Sequence, residues 1–405
     1  MSRRLQVLVA VLLAAALVGA GVVLASRDGS GDGSAAPSSS GSDAPAPTPS
    51  ASVPATRTAP EAAEAFLADW VDDGRVVRRD QGGDTVSEGQ AYGLLLALVA
   101  DDPAAFGEIW DWTEAHLVRP DGLLAWQWAD GAVVDDEPAA DADLDAARAL
   151  VLAGAAWDEP AYTEAGTALA TDVSDRMTVT TSLGRVLAPG VWATAADPYG
   201  YNPSYASPAA FAVLGEATGD PRWAELAAGS AATTAALLDV SALPPDWAQV
   251  HGDGTVEAMP GAAGTGLSVR YGYDAARLPV RYAESCAPAD TALAARLAGP
   301  LGTGDALAAE LDLGGTALDG TEDRHPVAYV ARAAARAADG DVPGAADDLD
   351  RADRVAQEVP TYYGAAWAAL GRALLESDAL GGCAPLGDAA PRDAEPGDAE
   401  SGDTA

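Results

Sequence analysis

The fold is indicated most directly by residues 84–117, which read DTVSEGQAYGLLLALVADDPAAFGEIWDWTEAHL. The first half contains residues 94–100, which are apolar on every side, as in a helix that is buried all round. The second half, from Pro103 to Leu117, has apolar residues at helical spacing and a charged opposite face. That pattern predicts a helix packed on one side only. One buried helix followed by one amphipathic helix is therefore the unit of this chain.

The same alternation recurs along the sequence. Helical spacing, with Pro, Ser or Asp at the helix starts, predicts twelve helices, near residues 61–71, 88–100, 103–117, 142–156, 160–175, 208–216, 221–239, 274–284, 292–297, 326–338, 344–358 and 362–375. Charge-poor helices alternate with charged ones, and little between them reads as strand. Six inner and six outer helices in alternation predict an all-α (α/α)6 barrel. A helical solenoid would alternate too, but the chain has no fixed-period repeat to support one.

The two ends of the chain differ from the middle. A basic start, Ser2-Arg3-Arg4, precedes an apolar run over residues 5–25, which predicts a cleaved signal peptide or a membrane anchor within residues 1–26. Residues 27–58 are rich in Ala, Ser, Pro and Gly and predict a disordered linker, and residues 386–405 predict an acidic disordered tail. Residues 59–385 remain as the barrel domain. We expect a bacterial protein that is secreted or anchored to the outer face of the membrane.

Charge and cysteine content restrict the partners. The net charge of −38 argues against nucleic acid and anionic membranes, and is compatible with a neutral polymer or a cationic one such as chitosan. The three histidines, at 116, 251 and 325, lack ligand spacing, so we expect no metal and no other cofactor. Cys286 and Cys383 form either one disulfide or two buried thiols, and the sequence leaves both open. We expect a monomer.

The unusual residues stand in the loops that enter the inner helices. Parallel inner helices bring their N-termini to one rim, so Glu88, Asp141 and Asp274 should meet there, together with the rings of Tyr205, Tyr273, Tyr362 and Tyr363. A carboxylate at a helix start is usually a cap or a favourable dipole partner, and we keep that interpretation for Asp143 and Asp145. Carboxylates among aromatic rings are what glycosidic cleavage requires, because an acid, a base and sugar-stacking faces are needed together. Trp126 and Trp128 belong either to this site or to the core.

At these residues the chain resembles glycoside hydrolase family 8. The resemblance runs from about Trp70 to Leu375. The segment from Asp84 to Gly93 looks like the one that holds the general acid of the family, and the segment from Ala139 to Trp157 looks like its signature. Shorter matches lie at residues 202–205, 273–277 and 361–364. Two positions depart from the signature, with Ala140 in place of Ser or Thr and Ala146 in place of Ile or Met.

The resemblance implies an inverting enzyme that acts on a β-1,4-linked polysaccharide. By position, Glu88 looks like the general acid, Asp274 like the general base, and Asp141 like the residue that holds the distorted sugar. Tyr205 would help to position water and Arg277 would orient the carboxylates. The other substrate-binding candidates are Tyr273, Tyr362, Tyr363, Trp126 and Trp128. We expect an endo-β-1,4-glucanase, with a chitosanase or xylanase of the same family as the alternative. A non-catalytic cell-surface polysaccharide-binding protein is the alternative from another class, and such a protein has no need of both an acid and a base.

Overall fold

The computed structural model describes residues 56–262, 268–318 and 324–387. The predicted export segment lies outside these residues, as do nearly all of the predicted linker and acidic tail. Within the described ranges, no helix combines the length and the apolar character that a bilayer span requires.

Helices dominate the described chain. They are α1 (Ala59–Trp70), α2 (Ser87–Val99), α3 (Pro103–Leu117), α4 (Ala140–Ala156), α5 (Pro160–Arg176), α6 (Pro208–Thr218), α7 (Arg222–Val240), α8 (Leu278–Ala283), α9 (Pro288–Ala295), α10 (Ala298–Leu301), α11 (Pro326–Asp339), α12 (Val342–Glu358) and α13 (Tyr362–Glu376). Short strands lie between them: β1 (Val71–Asp72), β2 (Arg75–Val76), β3 (Thr85–Val86), β4 (Gln127–Ala129), β5 (Ala132–Asp135), β6 (Thr178–Thr181), β7 (Gly184–Leu187), β8 (Tyr199–Tyr201), β9 (Trp247–Val250) and β10 (Val256–Met259).

Two rings of helices make up an (α/α)6 barrel, as the alternation in the sequence predicts. The inner ring consists of α2, α4, α6, α8, α11 and α13, and the outer ring of α1, α3, α5, α7, α9 and α12. Burial separates the rings. In α2 every residue except Glu88 is buried, whereas α3 buries one face only, through residues such as Phe106 and Ile109. The main hydrophobic core lies between the two rings.

The starts of many helices follow the signals in the sequence. Asp102 accepts hydrogen bonds from the backbone of Ala104 and Ala105 at the start of α3, and Thr361 accepts one from Gly364 at the start of α13. The inner helices α2 and α4 differ, because the residues that precede them, Val86 and Ala139, offer no capping side chain.

The sequence predicts the eighth and ninth helices less well than the others. Residues 274–284 begin as a 3-10 turn at Ala275–Arg277 and continue as α8. Pro279 has no N–H to donate to the carbonyl of Ala275, so that carbonyl accepts the N–H of Leu278 instead. The sequence predicts the ninth helix near residues 292–297, but α9 begins and ends earlier, and the separate turn α10 follows it.

The all-α prediction is confirmed, but the segments between the helices contain more short strands than the sequence indicates. The described residues contain the pairs β1–β2 and β6–β7 and two three-stranded sheets, ordered β3-β4-β5 and β10-β9-β8, all antiparallel. The strands are two to four residues long, too short to show the alternation by which strands are recognised. The two larger sheets support the site, because β3 leads directly into α2, and β8 leads into a 3-10 turn at Pro203–Tyr205.

A disulfide joins Cys286 to Cys383, with their Cα atoms 5.9 Å apart. It fixes the segment that follows α13 against the end of α8. In the same region the N–H of Cys383 donates to the carbonyl of Glu284 at 2.9 Å. The structure thus decides between the two alternatives that the sequence leaves open for these cysteines.

Candidate active site

Three carboxylates converge at the rim where the inner helices begin. Glu88 and Asp141 lie in the first turns of α2 and α4, and Asp274 directly precedes the 3-10 turn that opens α8. Their side chains are 20%, 10% and 31% exposed. The site is therefore accessible from solvent at this rim, although most of each side chain is covered.

Arg277 joins the three carboxylates. Its Nη1 donates to Glu88 Oε1 at 2.5 Å and to Asp141 Oδ2 at 3.0 Å, and its Nη2 donates to Asp274 Oδ1. The arginine side chain is only 3% exposed. A guanidinium can satisfy several carboxylates at once because its five N–H donors point in fixed, divergent directions. One buried cation therefore sets the arrangement of all three acidic groups.

Neutral side chains hold this cluster in place. Tyr92, one turn after Glu88 on α2, donates its hydroxyl proton to Glu88 Oε1 at 2.8 Å. The Nε of Arg277 donates to Ser204 Oγ at 3.2 Å, and the guanidinium lies over the ring of Tyr205, 5.3 Å from its centroid. Glu88 is thus directed towards the cluster rather than used as a helix cap.

Burial raises the pKa of Asp141 to about 7. The negative charges of Glu88 and Asp274 act in the same direction, and Arg277 opposes them. The Asp141 carboxyl therefore keeps its proton under weakly acidic conditions. Burial, with the charges of Asp141 and Asp274, also raises the pKa of the Tyr205 hydroxyl well above its usual range, which keeps that hydroxyl protonated.

Several predicted aromatic residues lie beside the carboxylates. The ring of Tyr273, next to Asp274, packs edge-on against that of Tyr363, with centroids 6.2 Å apart, and the Tyr363 hydroxyl donates to the carbonyl of Tyr273 at 3.1 Å. Trp126 is half-buried, and its carbonyl accepts the N–H of Ser87 at 2.9 Å, immediately before Glu88. The rings of Tyr205, Tyr273 and Tyr363 therefore lie close to the acidic cluster, and the backbone of Trp126 contacts the residue before Glu88.

Trp128 does not join this group. Its ring packs edge-on against Trp112 of the outer helix α3, at 5.3 Å between centroids, and lies under the guanidinium of Arg75. The register of the β4–β5 pair shifts between Gln127 and Trp128, and such a bulge redirects a side chain. The alternation of the two tryptophans in the sequence does not reveal this shift.

Tyr362 does not belong to the aromatic residues beside the carboxylates either. The residue is 1% exposed, and its ring packs against Phe66 and Trp70 of the outer helix α1, with centroids 6.4 and 6.2 Å away. A substrate-binding role for its ring is therefore wrong, because no face is left for a sugar. Two neighbouring residues of a helix point about 100° apart, so Tyr363 reaches the site while Tyr362 enters the core.

Four residues at or near the site were not predicted from the sequence. They are Tyr92, Trp192, Asp246 and His325. Tyr92 follows Glu88 at helical i+4 spacing, a signal that was available. Trp192 is 42% exposed in a loop whose Pro189 carbonyl accepts the N–H of Ala140, at the start of α4. His325 caps α11 and packs against Tyr273 and Tyr363, and burial lowers its pKa to about 4.

A family model described as glycosyl hydrolases family 8 matches residues 49–300. A probable endoglucanase from Novacetimonas hansenii is 34% identical over 216 residues, which are 52% of this chain and 62% of that protein. An endoglucanase from Escherichia coli (strain K12) is 39% identical over 169 residues, or 39% of this chain and 46% of that protein. The chain thus matches less than two thirds of the length of these relatives.

Among solved structures, the endo-β-1,4-glucanase CMCax from Acetobacter xylinum superposes with a TM-score of 0.65 at 26% identity. The match covers 79% of this chain and 98% of that chain. It therefore extends over both rings of the barrel.

Proposed function

Because this chain belongs to glycosyl hydrolase family 8, we propose that it hydrolyses a β-1,4-linked polysaccharide, as an endo-β-1,4-glucanase that inverts the anomeric carbon. The observation that carries the proposal is the contact of Arg277 with Glu88, Asp141 and Asp274 at one rim. The named relatives and the CMCax structure support the glucanase assignment over the other substrates of the family.

Glu88 is the general acid of the proposed reaction. It protonates the glycosidic oxygen as the bond to the leaving sugar breaks. Tyr92 and Arg277 both donate to its Oε1 and hold its carboxyl group in place. After the transfer Glu88 is left as a carboxylate, and because it is 20% exposed it can regain a proton from solvent once the products leave. Asp141 lies within reach of the same guanidinium and would bind a hydroxyl of the distorted sugar.

Asp274 is the general base. It removes a proton from the water that attacks the anomeric carbon from the face opposite the leaving group. Its side chain is the most exposed of the three, at 31%, which suits a group that must contact water. Tyr205 lies beside Arg277, and its protonated hydroxyl would orient that water.

The inverting course is the one that the resemblance to family 8 implies, and it requires an acid and a base about 6.5–9.5 Å apart, with room for water between them. Arg277 donates to both Glu88 and Asp274 and so fixes their relative position. Tyr273, Tyr363 and Trp126 would stack on sugar rings, and the exposed ring of Trp192 would extend the groove.

We also propose that the protein is exported from a bacterial cell and is a monomer. It is either released or anchored by its N-terminal segment to the outer face of the cell membrane. The disulfide between two exposed cysteines supports export, because such bonds persist in oxidising compartments.

The test compares the wild type with Glu88→Gln on carboxymethylcellulose, mixed-linkage glucan, xylan and chitosan, by the release of reducing ends. We expect hydrolysis of the β-1,4-glucans, and a loss of about 10²–10⁴-fold in kcat in the variant, since general acid catalysis contributes that much. Glu114→Gln, on the exposed face of α3, is the matched control and should retain full activity.

The stereochemistry needs its own measurement. Proton NMR of fresh product should show the α-anomer first if the enzyme inverts, and the β-anomer first if it retains. Hydrolysis of chitosan or xylan alone would move the assignment to those branches of the family. Folded wild-type protein that binds polymer but hydrolyses none would favour the non-catalytic binding protein.

A further inference from the structure

We propose that Asp246 is a positioning residue for the general base: its carboxyl group holds the turn that carries Asp274. The inference rests on the proposed function, in which Asp274 removes a proton from water. Asp246 lies outside the carboxylate cluster, in the loop between α7 and β9.

The side chain of Asp246 binds the backbone on both sides of the base. Its Oδ1 accepts the N–H of Gly272 at 2.8 Å and the N–H of Ala275 at 2.9 Å. These donors precede and follow the Tyr273-Asp274 pair. A Cβ on Gly272 would lie 2.7 Å from Asp246 Oδ2, so the turn can approach this closely only with glycine at that position. One carboxyl oxygen therefore bridges the turn.

The second carboxyl oxygen of Asp246 is held by Arg270. Oδ2 accepts from Arg270 Nε at 3.3 Å, and the N–H of Asp246 donates to the carbonyl of Arg270 at 2.8 Å. Arg270 also pairs with Glu310 at 2.5 Å. This chain of ion pairs fixes the carboxyl group from the side away from the turn.

The next residue extends the contact to the water-positioning group. The ring of Trp247 packs edge-on against that of Tyr205, with centroids 6.1 Å apart. A single dipeptide, Asp246-Trp247, thus touches both the turn of the base and Tyr205. A shift of this dipeptide would displace both groups together.

Asp246 is also coupled to the base by charge. Burial raises the pKa of Asp246 to about 6, and the charge of Asp274 raises it as well, against the hydrogen bonds from Ala275 and Gly272 and the charge of Arg270. The groups that face Asp246 directly or through one neighbour are Arg270, Tyr271, Asp274, Arg277 and Glu310.

The test uses the full chain with Asp246→Asn and Asp246→Ala. Asparagine keeps an oxygen that can accept the two backbone N–H groups, so kcat should stay close to the wild-type value. Alanine releases the turn, so kcat should fall by about 10–100-fold with little change in KM. The control is Asp253→Asn, because Asp253 also accepts a backbone N–H, from Thr255, but is exposed in the β9–β10 turn. It should leave kcat, KM and the pH profile unchanged.

A second measurement does not depend on hydrolysis. In protein labelled with 13C at the aspartate carboxyls, the resonance absent from Asp246→Asn should titrate near pH 6 in the wild type, as the structure indicates. The backbone amide resonances of Gly272 and Ala275 should shift in Asp246→Ala and stay near their wild-type positions in Asp246→Asn.

Two results would overturn the proposal. One is a folded Asp246→Asn variant that loses as much kcat as Asp246→Ala. The other is a folded Asp246→Ala variant whose kcat equals that of the wild type. Wild-type protein that hydrolyses no polymer would instead refute the proposed function, and the amide resonances of Gly272 and Ala275 would still show whether Asp246 holds the turn.

Discussion

At the scale of single residues, Arg277 determines what the acidic groups do. Buried charges are tolerated when they are paired and hydrogen-bonded, and this one cation serves Glu88, Asp141 and Asp274. Asp143 and Asp145, taken from the sequence as structural, are indeed bound elsewhere. Asp143 accepts the N–H of Leu124, and Asp145 pairs with Arg281. Both are buried rather than placed as helix caps.

Asp141→Asn should stabilise the protein at neutral pH while reducing its activity. The pKa of Asp141 is raised from 3.8 to about 7 by burial, so the folded state binds this proton more tightly than the unfolded state. The resulting contribution to the free energy of unfolding is fully present below about pH 4 and is lost as the pH rises to about 7. The neutral asparagine avoids the loss, and we expect a gain of about 1–3 kcal/mol in the free energy of unfolding at pH 7.5.

Urea unfolding at pH 5 and pH 7.5 checks this prediction. The gain should be smaller at pH 5, where much of the wild-type Asp141 still holds its proton. Glu114→Gln, which changes an exposed carboxylate, should show no such pH-dependent difference. An equal effect of Asp141→Asn at both pH values would contradict the titration of this residue in the range assigned.

At the scale of elements, small residues allow close packing between helices and the short strands. Gly229 of α7 lies against β7, where an added Cβ would come within 2.0 Å of the carbonyl oxygen of Arg185. On α5, a Cβ at Gly166 would lie 2.8 Å from the carbonyl of Ala147 in α4. Both contacts are with backbone atoms, which cannot move aside as a flexible side chain can.

Gly229→Ala should therefore destabilise the protein by about 1–3 kcal/mol, the usual cost of overpacking, even though alanine favours helix over glycine. Thermal unfolding measures the effect. The matched control is Gly299→Ala in α10, where nothing lies within 4 Å of the added Cβ; it should be neutral or slightly stabilising. A Tm of Gly229→Ala at or above that of Gly299→Ala would contradict the prediction and would mean that β7 moves to accommodate the added methyl group.

At the scale of the whole molecule, buried ion pairs continue from the active rim into the barrel. Below Arg277 and Asp141, one turn deeper, Arg281 pairs with Asp145. Deeper again, Arg148 pairs with Glu284 at 2.7 Å, and its Nε donates to the carbonyl of Leu380 at 2.7 Å. Seven residues of helix place this last pair about 10 Å from the rim. The C-terminal segment, fastened by the disulfide, covers it.

Loss of the disulfide should lower stability and leave activity at 25 °C nearly unchanged. Cys286 and Cys383 are 97 residues apart, and a bridge over such a loop contributes about 2–4 kcal/mol by restricting the unfolded chain. Urea unfolding of Cys286→Ala/Cys383→Ala should show this loss.

Dithiothreitol should reproduce the loss in the wild type, because both cysteines are exposed, and should have no effect on the double variant. Activity should persist because the bridge lies at the end of the barrel away from the carboxylates. A marked loss of kcat at 25 °C would show that the end of the barrel with the disulfide affects the arrangement of the carboxylates at the active rim.

Local signals in the sequence were sufficient for the helices, for the alternation that makes the (α/α)6 barrel, and for the rim that holds Glu88, Asp141 and Asp274. Helical periodicity and parallel inner helices specify these features without reference to distant residues. The family relationship could likewise be inferred from short motifs in these loops.

Only the tertiary structure decided which side chains share a cation, which ring enters the core and how the cysteines pair. Arg277 and Glu88 are 189 positions apart, and Tyr362 differs from Tyr363 only by its rotation about the helix axis. Asp246 gave no signal because its partners are backbone N–H groups more than two dozen residues further along the chain. Contacts of this kind depend on how separate elements pack, and residue spacing along the chain carries no record of that packing.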